Sequence, residues 1–319
     1  MTTYYLQFEK PIQELDDKIL ELEALNKPNK KTIKQISHLV HERSKVISEI
    51  YSNLSRWQRV QLARHPNRPF ALDYINYFSP KFLELHGDRY FMDDPAVVAG
   101  IGKFGDRRIA WIGQQKGRST KENLKRNFGM MRPEGYRKAL RIMKLAEKFE
   151  IPVITLIDTM GAYPGIGAEE RGQGEAIASN LIQMASLKVP IIGVVIGEGA
   201  SGGALGIGLC DRMLMMKNTW YSVISPEGCA SILYRDAARA EDAAEALKPI
   251  PDDLIKIGIC DKIIEEPDGG AHRNFKASAD LLQNALIQAL DELSNTDPES
   301  FLENRILKYD KLGIYQEES

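Results

Sequence analysis

The chain has 319 residues, enough for one large domain or two ordinary ones, and its formal net charge of −2 gives it no overall attraction to nucleic acid or to an anionic membrane. Apolar residues make up 43% and charged residues 27%, as in ordinary soluble globular proteins, so any basic site must be local. The three cysteines are far apart, which excludes a zinc ribbon or a C-x-x-C redox site and predicts buried thiols in a reducing compartment: Cys210, Cys229 and Cys260.

The N-terminus and the apolar stretches predict a cytoplasmic protein without a membrane anchor. The first ten residues have no basic region followed by an apolar run, so they do not resemble a signal peptide. The longest apolar stretch, at 190–196, is too short to span a bilayer.

Apolar residues at helical spacing predict an N-terminal helical hairpin, domain 1–64. The stripe begins at Ile12, is interrupted by a predicted turn at 26–31 and resumes from Ile33 to Trp57. Such a narrow stripe has two interpretations: an arm that docks another subunit, or a hairpin that packs only on its own domain. The stretch H-P-N-R-P then breaks the pattern.

From about residue 70 to residue 295, short apolar runs alternate with helical patterns, which predicts an α/β core in domain 65–296. Predicted strands lie at 97–101, 109–112, 153–157, 191–196, 213–216, 222–224 and 259–264. Predicted helices lie at 133–149, 168–187, 202–209 and 277–294. The polar tail, 297–319, is predicted to form a peripheral helix.

Two predicted strand-to-helix turns, at 158–175 and 196–208, are unusually rich in glycine. Glycine in a helix costs about 1 kcal/mol relative to alanine, so a compensating role is expected. Glycine permits close backbone approach and positive φ, and free N–H groups at a helix N-terminus suit a phosphate or a developing oxyanion. Close packing without a ligand would explain one such turn, whereas two of them predict a shared cleft. Neither turn is a P-loop or a clean dinucleotide fingerprint.

The second turn also permits a different enzyme class. Gly199 to Gly203 matches G-x-S-x-G, the nucleophile elbow of α/β-hydrolases, with Ser201 as the nucleophile. Aspartates and then His272 follow in the required order, although that histidine lies in a loop-like stretch. A serine hydrolase is therefore the alternative interpretation.

The segment 114–129 is locally basic. Its five cations face a single acid, Glu122: Lys116, Arg118, Lys121, Lys125 and Arg126. A solvated helix face is the usual explanation, and a site for a phosphate-rich ligand or an acidic partner is the other. No metal site is predicted, because the remaining histidines show no ligand spacing and are interpreted as surface or structural residues: His38, His41, His65 and His86.

Several long motifs resemble the alpha subunit of the carboxyltransferase of bacterial acetyl-CoA carboxylase. They lie in register over nearly the whole chain, at 113–118, 127–130, 133–140, 158–173, 197–205, 221–233 and 269–274, with W-Q-x-x-Q-L-A-R-H-P from residue 57. One departure is Met160, where the family has proline. The hairpin and the C-terminal tail resemble the family less closely.

The resemblance implies a crotonase-like (ClpP/crotonase) fold of stacked ββα units. It also implies an α2β2 assembly with a beta subunit that carries the zinc ribbon, so zinc is expected only in that partner. The family moves a carboxyl group from carboxybiotin, attached to the biotin carboxyl carrier protein, to acetyl-CoA. The product is malonyl-CoA, in the first committed step of fatty acid synthesis. ATP is used by the biotin carboxylase partner.

The resemblance also assigns candidate site residues. Gly202 and Gly203 correspond to the glycine pair whose N–H groups stabilise the ureido oxygen of biotin, and no side-chain base is required in this chain. Gly161 and Ala162 are candidates for lining the cleft. Lys116 and Arg118 are candidates for contacting CoA phosphates or the carrier.

Overall fold

The computed structural model describes residues 4–25, 29–294 and 297–313. The predicted turn at 26–31 lies partly outside the described residues, as does the end of the predicted tail. The N-terminal hairpin consists of α1 (Lys10–Glu23) and α2 (Lys30–Ser52), which pack against each other. The apolar stripe of α1 is buried at Ile12, Leu15 and Ile19. The α1 part of the stripe is therefore covered within the chain, whereas Ile33 of α2 is 56% exposed.

The central sheet contains eight strands in the described part of the chain. They are β1 (Leu83–Glu84), β2 (Val97–Phe104), β3 (Arg107–Gln114), β4 (Val153–Thr159), β5 (Ile191–Ala200), β6 (Arg212–Met216), β7 (Trp220–Ser222) and β8 (Lys262–Ile264). Their order is β1-β2-β3-β4-β5-β6-β8, and β7 pairs with β5.

Helices connect and cover these strands. They are α3 (Arg56–Ala63), α4 (Ala71–Phe78), α5 (Thr120–Lys125), α6 (Pro133–Lys148), α7 (Ile166–Glu169), α8 (Gln173–Ser186), α9 (Ser201–Leu205), α10 (Pro226–Leu233), α11 (Ala240–Leu247), α12 (Pro251–Leu254), α13 (Phe275–Ser294) and α14 (Pro298–Asp310). None of the helices in the described ranges is both long enough and apolar enough to cross a bilayer.

The direction of the strands decides where a site can form. The pairs β1–β2 and β2–β3 are antiparallel, whereas β3–β4, β4–β5 and β5–β6 are parallel. The carboxyl ends of β3, β4 and β5 therefore lie at one edge of the sheet, where ligands of parallel sheets usually bind. Both faces of the sheet are covered by apolar clusters, one including α6 and the other including α13. This burial explains why the central strands are continuous apolar runs.

The predicted elements are largely present, with differences that have local causes. The predicted helix 168–187 is divided into α7 and α8 because Gly172 adopts a left-handed conformation, φ +79°. The apolar stripe that was predicted to continue to Trp57 is interrupted after α2, where the Ser55 side chain caps α3 by accepting a hydrogen bond from the Gln58 N–H. The predicted strand 222–224 lies two residues earlier, as β7.

The C-terminal helix is less peripheral than its polar sequence predicts. Arg305 of α14 is fully buried, and its guanidinium forms a bidentate pair with Asp211 at 2.7 and 2.8 Å. The same guanidinium donates to the carbonyl oxygens of Met184, Leu187 and Val189, at the end of α8 and just after it. Arg305 thus fastens α14 to the core together with Tyr309, whose hydroxyl accepts the Cys210 N–H at 2.8 Å.

Candidate active site

The two glycine-rich turns lie in direct contact at the carboxyl edge of the sheet. In the structure the first turn begins after β4 ends at Thr159, and the second begins after β5 ends at Ala200, so each begins later than the sequence predicted. At Gly203 a Cβ atom would lie 2.2 Å from the carbonyl carbon of Gly161 and 2.6 Å from the nitrogen of Ala162. No residue other than glycine fits at position 203 without moving the first turn. Gly161, Ala162 and Gly203, separated in sequence, are thus brought together.

In the described structure, two amides of the second turn have N–H groups that are free to bind a ligand, whereas the Gly161 amide of the first turn already donates a hydrogen bond. Gly202 and Gly203 lie in the first turn of α9, which has no side-chain cap, and no acceptor for either N–H is found among the described residues. Gly202 is half-buried and Gly203 is buried. In the first turn, by contrast, the Gly161 N–H donates to Oγ1 of Thr159 at 3.2 Å. Free donors of the kind predicted are therefore found at Gly202 and Gly203.

Ser201 has one feature of a nucleophile elbow and lacks the others. Its φ of +55° is unusual for a residue other than glycine, and its side chain is exposed at a strand-to-helix turn. Within the described ranges, no hydrogen bond joins its hydroxyl to a histidine. His272, the candidate base, is buried and stacked on His65 with ring centroids 3.9 Å apart. The hydrolase interpretation has no support, because an activated serine requires a hydrogen-bonded base.

Beneath the two turns lies a buried network of charges. The Lys116 ammonium contacts Oδ1 of Asp158 and Oε2 of Glu198, each at 2.7 Å, and both carboxylates are almost fully buried. Nε of Arg64 lies 2.7 Å from Oε1 of Glu198, and the same guanidinium pairs with Glu227. Lys116 is therefore neutralised inside the protein. This geometry leaves no free charge on Lys116 for the predicted contact with CoA phosphates or the carrier.

The two carboxylates of this network have pKa values that shift in opposite directions. Burial raises the pKa of Asp158, and the single cation beside it, Lys116, offsets this only in part. Burial also acts to raise the pKa of Glu198, but Lys116 and Arg64 together lower it below its usual value. These two cations therefore hold Glu198 as a carboxylate. Glu198 lies just before the second turn.

Arg118 remains a candidate for contacts with a ligand. Its side chain is about half exposed, it pairs with Asp73, and its guanidinium lies 4.2 Å from the centre of the Phe70 ring. It lines a cavity of about 610 Å³ that also borders Lys116, Glu198, Met160 and Phe128. Met160, the departure from the family pattern, is 50% exposed, so a flexible methionine side chain borders the cavity where the family has a proline ring. The four candidate glycine-turn residues do not line this cavity.

A second buried cluster, formed by Glu9, His65 and His272, fastens the hairpin to the core. Potential metal-ligating atoms of these three residues lie within 4.8 Å of one another, which the sequence did not predict. However, Nδ1 of His65 accepts the Asn67 N–H at 3.1 Å, and Arg273 lies 3.3 Å from Glu9. A ring nitrogen already in use and an adjacent cation both disfavour a metal ion.

The pKa values of this cluster fit a structural anchor. Burial acts to raise the pKa of Glu9, but the nearby His272 ring and the hydrogen bonds from Leu6 and Tyr51 lower it to about 2. Burial and the charge of His272 lower the pKa of His65 to about 4. A neutral His65 agrees with its role as a hydrogen-bond acceptor, and the anionic Glu9 supplies the charge that holds Arg273.

Sequence reasoning missed the residues that connect the turns. The buried side chain of Gln114 donates from Nε2 to the Gly203 carbonyl at 2.7 Å and accepts the Asp158 N–H at 3.1 Å. Asp158, Glu198 and Arg64 were not singled out either. A signal did exist for Asp158 and Glu198, because each is an acid at or near the end of an otherwise apolar predicted strand.

Comparison with known proteins gives a consistent result. A family model described as acetyl co-enzyme A carboxylase carboxyltransferase-like matches residues 5–313. The acetyl-coenzyme A carboxylase carboxyl transferase subunit alpha of Campylobacter jejuni is 54% identical over 313 residues, covering 98% of this chain and 99% of that protein. The protein of the same name from Chlorobaculum parvum is 52% identical over 327 residues, covering 98% and 97%.

Among solved structures, transcarboxylase 12S with methylmalonyl-coenzyme A and methylmalonic acid bound superposes with a TM-score of 0.57 at 18% identity. The match covers 72% of this chain and 43% of that one. At this level of identity the likeness concerns the fold, and it confirms the predicted crotonase-like architecture.

Proposed function

The chain belongs to the acetyl co-enzyme A carboxylase carboxyltransferase family, and from this membership we propose that its two free glycine amides carry out the carboxyl transfer from carboxybiotin to acetyl-CoA. Malonyl-CoA is the product. In this reaction carboxybiotin would supply the activated carboxyl group, and the biotin anion left behind would take up the proton that the methyl group of acetyl-CoA loses. The chain supplies the donors that stabilise the charge on the ureido oxygen.

The observation that carries the proposal is the pair of N–H groups of Gly202 and Gly203 without an acceptor in the described structure. They lie in the first turn of a helix, where the backbone dipoles favour negative charge. Gly202 and Gly203 donate hydrogen bonds to the ureido oxygen, on which negative charge develops as the carboxyl group leaves. One preorganised donor of this kind is typically worth about 3 kcal/mol of the barrier.

The charged network under the turns has a supporting role. Lys116 is fully engaged with Asp158 and Glu198, so none of these three groups is free to exchange a proton with a substrate. Lys116 instead compensates two carboxylates that would otherwise place negative charge next to the oxyanion site. The proposed chemistry then depends on the backbone amides, in agreement with the resemblance, which requires no side-chain base in this chain.

The site is incomplete in this chain alone, and a carboxyltransferase beta subunit completes it. Two large apolar side chains that line the cavity are exposed: Met160 by 50% and Phe128 by 38%. A partner that covers them would also exclude water from the site. We expect the α2β2 assembly, the zinc ribbon in the beta subunit, the biotin carboxyl carrier protein and ATP-dependent biotin carboxylase to follow the family. The cytoplasmic location stays a prediction.

The function is tested by purifying the chain with a beta subunit of the family and measuring decarboxylation of malonyl-CoA in the presence of biocytin. We expect activity from the complex and none from either subunit alone. A complex that assembles but never consumes malonyl-CoA would contradict the proposed function.

A pair of substitutions at Gly202 tests the amide itself. Gly202→Pro removes the N–H in the first turn of α9, whereas Gly202→Ala keeps it. The alanine Cβ would contact only Cδ1 of Ile177, at 3.5 Å. We expect Gly202→Pro to lower kcat by about 10²-fold or more and Gly202→Ala to retain most of it. Equal activity of the two variants, with the complex intact, would exclude this amide as a donor.

A further inference from the structure

We propose that Gln114 is the positioning residue that holds the two glycine-rich turns in register, so that the Gly202 and Gly203 amides point to a common oxyanion. The proposal rests on the proposed function for the identity of that oxyanion. Gln114 is the last residue of β3. In the sheet β3 lies beside β4, and β4 lies beside β5; the two turns follow β4 and β5. It contacts no candidate substrate position, so its effect must pass through the turns.

The geometry of the Gln114 amide is specific. Its Nε2 donates to the carbonyl oxygen of Gly203 at 2.7 Å, in the second turn. Its Oε1 accepts the N–H of Asp158 at 3.1 Å, near the end of β4 and just before the first turn. A carbonyl can only accept and an N–H can only donate, so one orientation of the side-chain amide satisfies both partners. The side chain is fully buried, so water does not compete.

The connection to Gln114 is the side-chain hydrogen bond that reaches the second turn at Gly203 itself. Gly203 is packed against the backbone of Gly161 and Ala162, which fixes how close the turns approach. Packing alone does not fix the rotation of the peptide groups in α9, which is only five residues long. Ser201, at the start of α9, is in a left-handed conformation that residues other than glycine disfavour. The Gly202 carbonyl, which shares a peptide group with the Gly203 N–H, accepts the Gly206 N–H at 3.0 Å. The hydrogen bond from Gln114 holds the next peptide group through the Gly203 carbonyl and so fixes Gly203 from its other side.

A misaligned donor loses most of its effect in the transition state, because shifts near 1 Å in a preorganised site can cost about 10²-fold in rate. Removing the Gln114 contact therefore lowers kcat without changing KM for malonyl-CoA. A residue that merely supported the fold would lower the amount of active complex instead. This difference separates a positioning role from a structural one.

The most informative substitution is Gln114→Glu, assayed in the complex with the beta subunit by malonyl-CoA decarboxylation with biocytin. A glutamate carboxylate has the same shape but places an anionic oxygen against the Gly203 carbonyl. When protonated, the same group can donate to that carbonyl and accept from the Asp158 N–H, as glutamine does. We expect kcat to be about 10- to 100-fold below that of the native complex at high pH and to recover toward it as the pH falls.

Two further variants complete the test. Gln114→Met removes both hydrogen bonds at similar length, and we expect the same loss in kcat without recovery at low pH. Gln115→Glu is the matched control: Gln115 is also buried, but its side chain bonds to Leu72 and Lys116 and does not contact the turns. We expect it to show no recovery of kcat at low pH. Melting temperatures of all complexes report folding separately.

The outcomes distinguish the possibilities. A low kcat for both Gln114 variants, recovery at low pH for Gln114→Glu alone and an unchanged KM would support the positioning role. Native kcat in folded Gln114→Met would overturn it and leave the proposed function intact. If Gln114→Glu lost activity only in proportion to its loss of folded complex, the positioning role would also fail. An inactive native complex would overturn the proposed function and this inference together.

Discussion

In the first glycine-rich turn, Gly161 donates its N–H to Thr159 and adopts φ +149°, with no atom within 4 Å of the position where a Cβ would lie. In the second, Gly203 has no space for a Cβ at all, and its N–H has no acceptor in the described structure. The first turn thus needs glycine for its backbone conformation, and the second needs it for close approach. The two turns have similar composition, but they require glycine for different physical reasons.

The acids that precede the two turns also differ, in the number of neighbouring cations and in the direction of their pKa shifts. Asp158 has one cation beside it and a raised pKa, whereas Glu198 has two and a lowered one. The second turn therefore follows the more strongly compensated carboxylate. The comparison suggests that the first turn serves as a support and the second carries the donors.

The largest effect is expected from Gly203→Val. Its side chain would collide with the backbone of Gly161 and Ala162, so the two turns must separate. The clash is within the chain itself, so the expected loss does not require contact between valine and the biotin ring. We expect transfer to fall by roughly 10³-fold or more, measured by malonyl-CoA decarboxylation. Gly174→Val, on an exposed face with open space, is the control. Substantial activity in Gly203→Val would show that contact between the turns is dispensable.

A smaller effect, mainly on stability, is expected from Lys116→Met. It leaves the buried carboxylates of Asp158 and Glu198 without their shared cation, and breaking a buried ion pair typically costs about 3–5 kcal/mol. Glu198 has a lowered pKa, so its stabilising contribution is present above its usual pKa and is lost as the pH falls. We expect denaturant titration to show a lower free energy of unfolding at pH 7 than in the native chain. We also expect this free energy to decrease less as the pH falls. Lys121→Met, an exposed position in the same basic segment, is the control. Equal stability of the two variants would contradict the network.

The smallest effect is expected from Gly161→Ala. Alanine has space there but must adopt a backbone conformation that costs about 1–3 kcal/mol. We expect a lower melting temperature and a moderate fall in kcat, because the second turn rests on this one. Gly105→Ala is a matched control, since Gly105 also has positive φ, +58°, and open space but lies in the turn between β2 and β3. If both variants lost stability and neither lost kcat, the first turn would have no influence on the donors.

Local pattern was enough for much of the fold. The strands β2 to β6 were predicted from continuous apolar runs, and α6 from Pro133 and its apolar face. Two of the errors fall where one residue decides the local structure: Gly172 divides a predicted helix, and the Ser55 cap starts a new one. Such positions depend on a single backbone conformation or hydrogen bond, which periodicity does not report.

The candidate site was predicted unevenly. Gly202 and Gly203 were identified because four glycines near a strand-to-helix turn are costly, and the resemblance gave them a role. Lys116 was grouped with the other cations of its basic segment, although its partners are Asp158 and Glu198, which lie 42 and 82 residues further along the chain. Arg118, from the same segment, remains half exposed.

The sequence alone determined the central strands β2 to β6, the two glycine-rich turns and the family, because each follows from local apolar patterns, from composition or from long motifs. Only the tertiary structure decided that Gly203 lies against Gly161, that Gln114 joins both turns, and that Glu9 holds the hairpin through Arg273. The physical reason is that these contacts are made across the edge of a parallel sheet or between distant segments. Their partners are selected by packing and charge in space, which no local pattern contains.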